Sequence, residues 1–112
     1  MTKPLQALKA ASPATLRRAE RDLVDFGTRA ASRSGMHDVH IVNVSRLGLM
    51  GRVASSVAAG DKLLFELPHV RRIEAVVRWV EDGRIGVEFA RPIEPDHYSA
   101  MLAYMPARQT NW

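Results

Sequence analysis

The chain has 112 residues, 46% of them hydrophobic and 25% charged, which is the size and composition of a single soluble globular domain. It contains no cysteine, which excludes disulfides, zinc–thiolate sites and thiol catalysis and fits a reducing cytoplasm. The formal net charge of +4 favours an anionic partner.

The basic residues are mostly arginine, with 13 arginines against 3 lysines. Arginine presents a planar fork that suits phosphates and guanine edges, although a genome rich in G and C would produce the same excess. No apolar run approaches the roughly 18 residues of a membrane span, and residues 1–9 contain no continuous hydrophobic segment of a secretory signal. The sequence therefore predicts a cytoplasmic protein without a membrane span.

The first 15 residues predict a flexible N-terminal arm. Ser12 and Pro13 could cap a short helix that continues to Arg21. Arg17 and Arg21 lie on one side of the chain whether this stretch is helical or extended. The segment is therefore either a solvated basic stretch or a paired-arginine anion site.

Six short stretches of apolar alternation follow, with turns about every ten residues and no helix between them. This pattern predicts an all-β fold, a six-stranded antiparallel β-barrel. The stretch from Asp38 to Val44 is apolar on both faces, so its inward side cannot be assigned from the pattern, and Asp82-Gly83 predicts a tight hairpin. The predicted strands cover residues 23–31, 38–44, 49–53, 62–67, 73–80 and 84–89.

Between the second and third predicted strands lies a polar turn with Asn43, Ser45 and Gly48. Asn and Ser side chains at a strand end can bond local backbone amides, and a glycine can supply a conformation that side chains resist. Such a turn is a suitable surface for a small polar ligand, although most turns of this kind only close a hairpin.

The period changes after Pro92, where Tyr98, Met101, Leu102 and Met105 form one stripe of a helix. Glu94, Pro95 and Asp96 give this C-terminal α-helix an acidic start, and Pro106 is expected to end it. The stripe either covers one mouth of the barrel or binds a partner. The predicted organisation is thus an arm over residues 1–15, a barrel domain with its helix over 16–105 and a tail over 106–112.

Four motifs in this order resemble the bacterial PilZ domain: Arg17-x-x-x-Arg21, Asn43-x-Ser45-x-x-Gly48, and the strand segments at 77–79 and 85–89. The resemblance spans residues 16 to 105. It implies a six-stranded barrel that binds the bacterial second messenger cyclic di-GMP and signals to an effector protein controlling motility, exopolysaccharide or virulence. The binding residues it implies are Arg17, Arg21, Asn43, Ser45 and Gly48, with Arg18 as an additional contact between the paired arginines.

The chemistry of these residues suits such a ligand. Guanine offers O6 and N7 to an arginine fork, and its opposite edge offers N–H donors to an Asn carbonyl or a Ser oxygen. Its phosphates suit guanidinium groups and backbone amides. A mobile basic arm that closes over the polar turn would supply all of these groups, which predicts a disorder-to-order change around residues 10–21. Asn43 gives a neutral acceptor where the motif also allows Asp, which predicts modest affinity.

Three other functions compete with this prediction. A PilZ-type protein–protein adaptor that binds no ligand usually lacks the paired arginines. A barrel for RNA or single-stranded DNA needs exposed aromatic side chains, whereas Phe65, Trp79 and Phe89 fall on the inward pattern. Trp79 is expected in the core, and stacking on a ligand is its less favoured alternative.

Catalysis is the third competing function. Three-residue spacing on a strand separates His37 from His40, which predicts no metal site, and no cofactor is expected. We therefore predict a non-enzyme that binds no nucleic acid polymer.

Overall fold

In a computed structural model of the chain we describe residues 21–107, which form a closed barrel of six antiparallel strands and one short C-terminal helix. The predicted fold class is confirmed in these elements. Around the barrel the strands pair in the order β1, β2, β3, β6, β5, β4, and β4 returns to β1. The elements are β1 (Asp22–Ser32), β2 (Gly35–Val44), β3 (Gly48–Val53), β4 (Lys62–Leu67), β5 (Arg71–Glu81), β6 (Arg84–Phe89) and α1 (Pro95–Leu102).

The β5–β6 hairpin forms where the sequence predicts it. Asp82 and Gly83 have φ values of 51° and 77°, so two successive residues adopt the left-handed conformation of a tight hairpin turn. Strand β2 starts three residues earlier than predicted, because it continues back to the β1–β2 turn at Gly35, where φ is 128°.

The barrel interior is filled by the alternating apolar side chains of all six strands. Phe65 and Phe89 are buried in it, as the alternation predicts. The register of β2 shifts between Ile41 and Asn43, which changes the face of the strand that points inward. This shift explains why the strand carries apolar residues on both faces.

The inward assignment of Trp79 is wrong. A register shift between Val77 and Trp79 places an additional residue, Arg78, in β5. Trp79 pairs with Gly86 and lies half-buried outside the hydrophobic core, whereas Val77 remains fully buried. The bulge thus moves the indole to the outer face of the barrel.

Helix α1 packs against the barrel through the predicted stripe. Tyr98 and Met101 are buried in the core, as is Met105 just beyond the helix, while Leu102 packs against it partly exposed. The helix begins with Pro95 at its first turn and ends at Leu102, earlier than Pro106. After the turn Ala107 pairs with Val24, and the Pro106 carbonyl accepts the Asp25 N–H at 2.9 Å.

Candidate functional site

The turn between β2 and β3 is closed by its own polar groups. The Ser45 N–H donates to the Gly48 carbonyl at 2.9 Å, and the Leu47 N–H donates to the Ser45 hydroxyl at 3.0 Å. Ser45 is only 1% exposed, so its hydroxyl serves to fix the turn. Gly48 begins β3 opposite Glu88 and does not have a positive φ, so the left-handed conformation expected of this glycine is not found.

A second set of hydrogen bonds fastens this turn to the segment that precedes α1. The Arg46 Nε donates to the Ile93 carbonyl at 2.7 Å, and the Ile93 N–H donates to the Arg46 carbonyl at 2.8 Å. The Phe89 N–H donates to the Leu47 carbonyl at 2.8 Å. The turn is therefore a rigid corner of the barrel.

Arg21 and Asn43 meet at the side chain of Met50. Arg21 Nη1 and Asn43 Nδ2 lie 3.3 Å and 3.2 Å from the Met50 sulfur, respectively. A thioether only accepts hydrogen bonds, so this contact directs the amide nitrogen toward Met50 and leaves Asn43 Oδ1 on the other side. That oxygen is buried and finds no donor among residues 21–107.

The structure thus brings Arg21 beside Asn43, and Asn43 is two residues from the turn at Ser45 and Gly48. The strand pairing explains the placement, since Asp22 lies opposite Val44 at the end of the β1–β2 ladder. Arg17 and Arg18 lie outside the described residues.

An outer row of paired residues extends from Asn43 across four strands. Asn43 pairs with Met50, Met50 with Gly86, and Gly86 with Trp79. Directly paired residues of antiparallel strands share a face, so all four lie on the outside of the barrel. Sequence reasoning did not identify Met50 as part of the site, because the β2 bulge that decides its pairing is not visible in the pattern.

The Trp79 indole lies over Gly86. A Cβ at Gly86 would stand 2.1 Å from Trp79 Nε1, so only glycine leaves room for the ring. Trp79 Nε1 is buried and has no acceptor among the described residues. Neighbouring Arg78 is exposed and pairs with Glu88 through Nε and Oε1 at 3.0 Å.

Tyr98 connects α1 to both strands that carry the site. Its hydroxyl lies 2.6 Å from Asp22 Oδ2 and 2.9 Å from the Val44 carbonyl. Asp22 follows Arg21, and Val44 stands between Asn43 and Ser45. The helix therefore holds the start of β1 and the end of β2 together.

His37 and His40 have separate partners. The two ring nitrogens of His37 each lie 2.7 Å from a serine hydroxyl, of Ser32 and Ser55, and His40 Nε2 lies 2.6 Å from Asp25 Oδ1. The rings of His69 and His97 lie near each other, with centroids 5.4 Å apart. Residues 21–107 contain no cluster of three or more His, Asp or Glu side chains that could hold a metal ion.

In the same stretch no helix is long and apolar enough to cross a membrane.

The family model of the PilZ domain matches residues 15–106, which is most of the chain and includes both candidate motifs. The chain belongs to the PilZ family. A search of curated proteins found no match to this chain. PilZ domains are binding and adaptor domains, and the family is one of cyclic di-GMP receptors and PilZ-type adaptors. The match also confirms the resemblance inferred from the four sequence motifs.

Proposed function

We propose that this PilZ domain is a cytoplasmic, non-enzymatic receptor for cyclic di-GMP that signals to an effector protein. The ligand site comprises Arg21, Asn43, Ser45 and Gly48, together with Arg17 and Arg18 from the preceding segment. The observation that supports it best is the meeting of Arg21 and Asn43 at Met50, beside the turn closed by Ser45.

The hydrogen-bonding state of these groups favours a guanine ligand. The Arg21 and Asn43 nitrogens contact a thioether, which is a weak acceptor, so replacing it by guanine or phosphate oxygens improves both bonds. The buried Asn43 Oδ1, which has no donor within the described residues, suits the N–H donors of a guanine edge. A buried acceptor without a donor raises the free energy of the folded protein, so a ligand that supplies the donor stabilises the complex.

Ligand binding would be transmitted through the arm and the start of β1. Arg21 directly precedes β1, and Asp22 is held by Tyr98, so the arginine already stands next to the rigid turn. In this proposal the ligand orders the rest of residues 10–21 against the barrel and creates the surface that the effector recognises.

Calorimetric titration of the full chain with cyclic di-GMP tests the proposal and gives the stoichiometry. We expect saturable binding that Arg21→Ala weakens by at least about tenfold, which corresponds to roughly 1.4 kcal/mol. We expect Ser45→Ala to weaken binding as well, by releasing the Leu47 amide and loosening the turn.

Arg29→Ala is a matched control, since Arg29 is an exposed arginine of β1 that lies opposite Asp38 in the β1–β2 ladder, away from Asn43. Its affinity should equal that of the unmodified chain. Unchanged titration curves for both Arg21→Ala and Ser45→Ala would refute the site. A chain that gives no binding heat at all would instead be a PilZ-type adaptor without a ligand.

A further inference from the structure

The barrel has one weak seam, between β1 and β4. Their ladder consists of two residue pairs, Ala30 with Phe65 and Ala31 with Leu64, whereas β4 and β5 share six pairs. Beyond these pairs the Thr28 hydroxyl donates to the Glu66 carbonyl, and the two strands then separate. Within residues 21–107, no ladder therefore joins β1 to β4 on the N-terminal side of Thr28.

This gap leaves a short edge of β1 without a pairing strand among the described residues. At its far end this edge is covered again, where Ala107 pairs with Val24 and the Pro106 carbonyl accepts the Asp25 N–H. Between the two covered ends, residues 26–29 form no ladder on this side with any part of residues 21–107. An uncovered strand edge is a template for pairing with another extended chain.

A groove of about 890 Å³ lies along this edge. Its apolar side is formed by Phe26, Leu67 and Val70, of which Phe26 and Val70 are only partly buried. Phe26 falls on the same alternation as the residues of β1 that face the interior. It is only partly buried because β4 does not pair with β1 beside it. The groove therefore offers an apolar surface directly beside an uncovered strand edge.

The rim of the groove is positively charged. Among the described residues its lining includes two basic residues, Arg71 and Arg72, and one acidic residue, Glu66. Neither arginine forms an ion pair within residues 21–107. Arg71 has a φ of 73° and His69 a φ of 66°, so this turn holds two non-glycine residues in an uncommon conformation. Strained backbone of this kind tends to be kept where it positions a functional side chain.

We propose that this groove is the docking surface for an extended acidic segment of a partner protein. The segment pairs its backbone with residues 26–29 of β1 and places an apolar side chain against Phe26, Leu67 and Val70. Its carboxylates bind Arg71 and Arg72, and this charge complementarity selects an acidic partner over a basic one. The groove is separate from Arg21 and Asn43, so the proposal stands without cyclic di-GMP binding.

The test is a titration of the ¹⁵N-labelled full chain, without cyclic di-GMP, followed by NMR. The probe is a short capped peptide that alternates Glu with Thr and Leu, and the comparison peptide carries Lys in place of every Glu. We expect the acidic peptide to shift the amide signals of residues 26–29 and 66–72, and the basic peptide to bind at least about tenfold more weakly. Shifts that map elsewhere, or equal binding of the two peptides, would overturn the proposal.

Charge reversal makes the test specific to the two arginines. The double variant Arg71→Glu, Arg72→Glu alters exposed side chains, and we expect it to weaken the acidic peptide at least about tenfold. The matched control, Arg33→Glu with Arg84→Glu, reverses two exposed charges outside both this groove and residues 26–29, and should leave the affinity unchanged. Equal effects of the two double variants would show only a general attraction by net charge and would overturn the proposal. Concentration-dependent dimerisation of the chain alone, with the same signals shifted, would identify a second copy as the occupant and overturn the proposal.

Discussion

Met50 shows how a residue outside the recognised motifs can organise a site. Its sulfur accepts hydrogen bonds from Arg21 Nη1 at 3.3 Å and from Asn43 Nδ2 at 3.2 Å. A thioether holds these donors in place without competing strongly for them, because it is a weaker acceptor than an oxygen. Both groups therefore stand close together, and in the proposed function the oxygen acceptors of a ligand replace the sulfur.

Gly86 is required by its neighbour. Its φ is not positive, but a Cβ at this position would come within 2.1 Å of Trp79 Nε1. We expect Gly86→Ala to displace the indole and to lower the free energy of unfolding by about 1–3 kcal/mol, the usual cost of overpacking. Urea denaturation followed by circular dichroism measures this change.

Gly27→Ala is the matched control for that substitution. Gly27 lies in β1, and a Cβ there would meet nothing within 4 Å. Since glycine in a strand costs roughly 0.5–1 kcal/mol relative to alanine, we expect this variant to be as stable as the unmodified chain or more stable. If Gly86→Ala proved equally harmless, the indole would not be held where the structure places it.

At the scale of elements, α1 does more than close the barrel. Its Tyr98 hydroxyl contacts Asp22 at the start of β1 and the Val44 carbonyl at the end of β2. Ile93, just before the helix, exchanges two hydrogen bonds with Arg46 of the turn. The helix and the segment before it thus fix the relative positions of the two chain segments that carry Arg21, Asn43 and Ser45.

Tyr98→Phe removes the hydroxyl and keeps the apolar ring. We expect the free energy of unfolding to fall by about 1.5–3 kcal/mol, the range for a hydrogen bond to a charged group. Urea denaturation of the single variant measures the loss.

A double-mutant cycle of Tyr98→Phe with Asp22→Asn then isolates the part of this lost free energy of unfolding that depends on the carboxylate charge. We expect a coupling energy near 1 kcal/mol, because the neutral amide remains a weaker acceptor. A coupling of zero would mean that the carboxylate charge does not stabilise the attachment of α1.

At the scale of the molecule, the barrel is closed unevenly. Five of its six seams are longer ladders, whereas the β1–β4 seam has two residue pairs and a single bond from the Thr28 side chain to Glu66. Local stability follows the number of contacts and hydrogen bonds that must break on opening. The barrel should therefore open at this seam before it unfolds.

Amide hydrogen exchange under native conditions tests this expectation. We expect the amides that join Ala30 and Ala31 to Leu64 and Phe65 to exchange faster than those of the β5–β6 ladder. The β5–β6 amides serve as the internal control, since they should exchange only by global unfolding. Equal protection of both seams would show that the barrel opens as one unit.

Much of the architecture follows from the sequence alone. Period-two alternation between Leu63 and Leu67 and between Ile85 and Phe89, with the Asp82-Gly83 turn, is sufficient to predict strands and a barrel. The stripe from Tyr98 to Met105 likewise predicts a helix that packs on the core. These predictions succeed because burial of apolar side chains imposes a period on each element locally.

Only the tertiary structure decided which residues meet. The bulges in β2 and β5 change the register, so they moved Trp79 to the outer face and paired Asn43 with Met50. A bulge adds one residue to one strand, and its position depends on the partner strand, which the local pattern does not contain. For the same reason the contact of Tyr98 with Asp22, 76 positions apart, and the open β1–β4 seam could be seen only once the chain was folded.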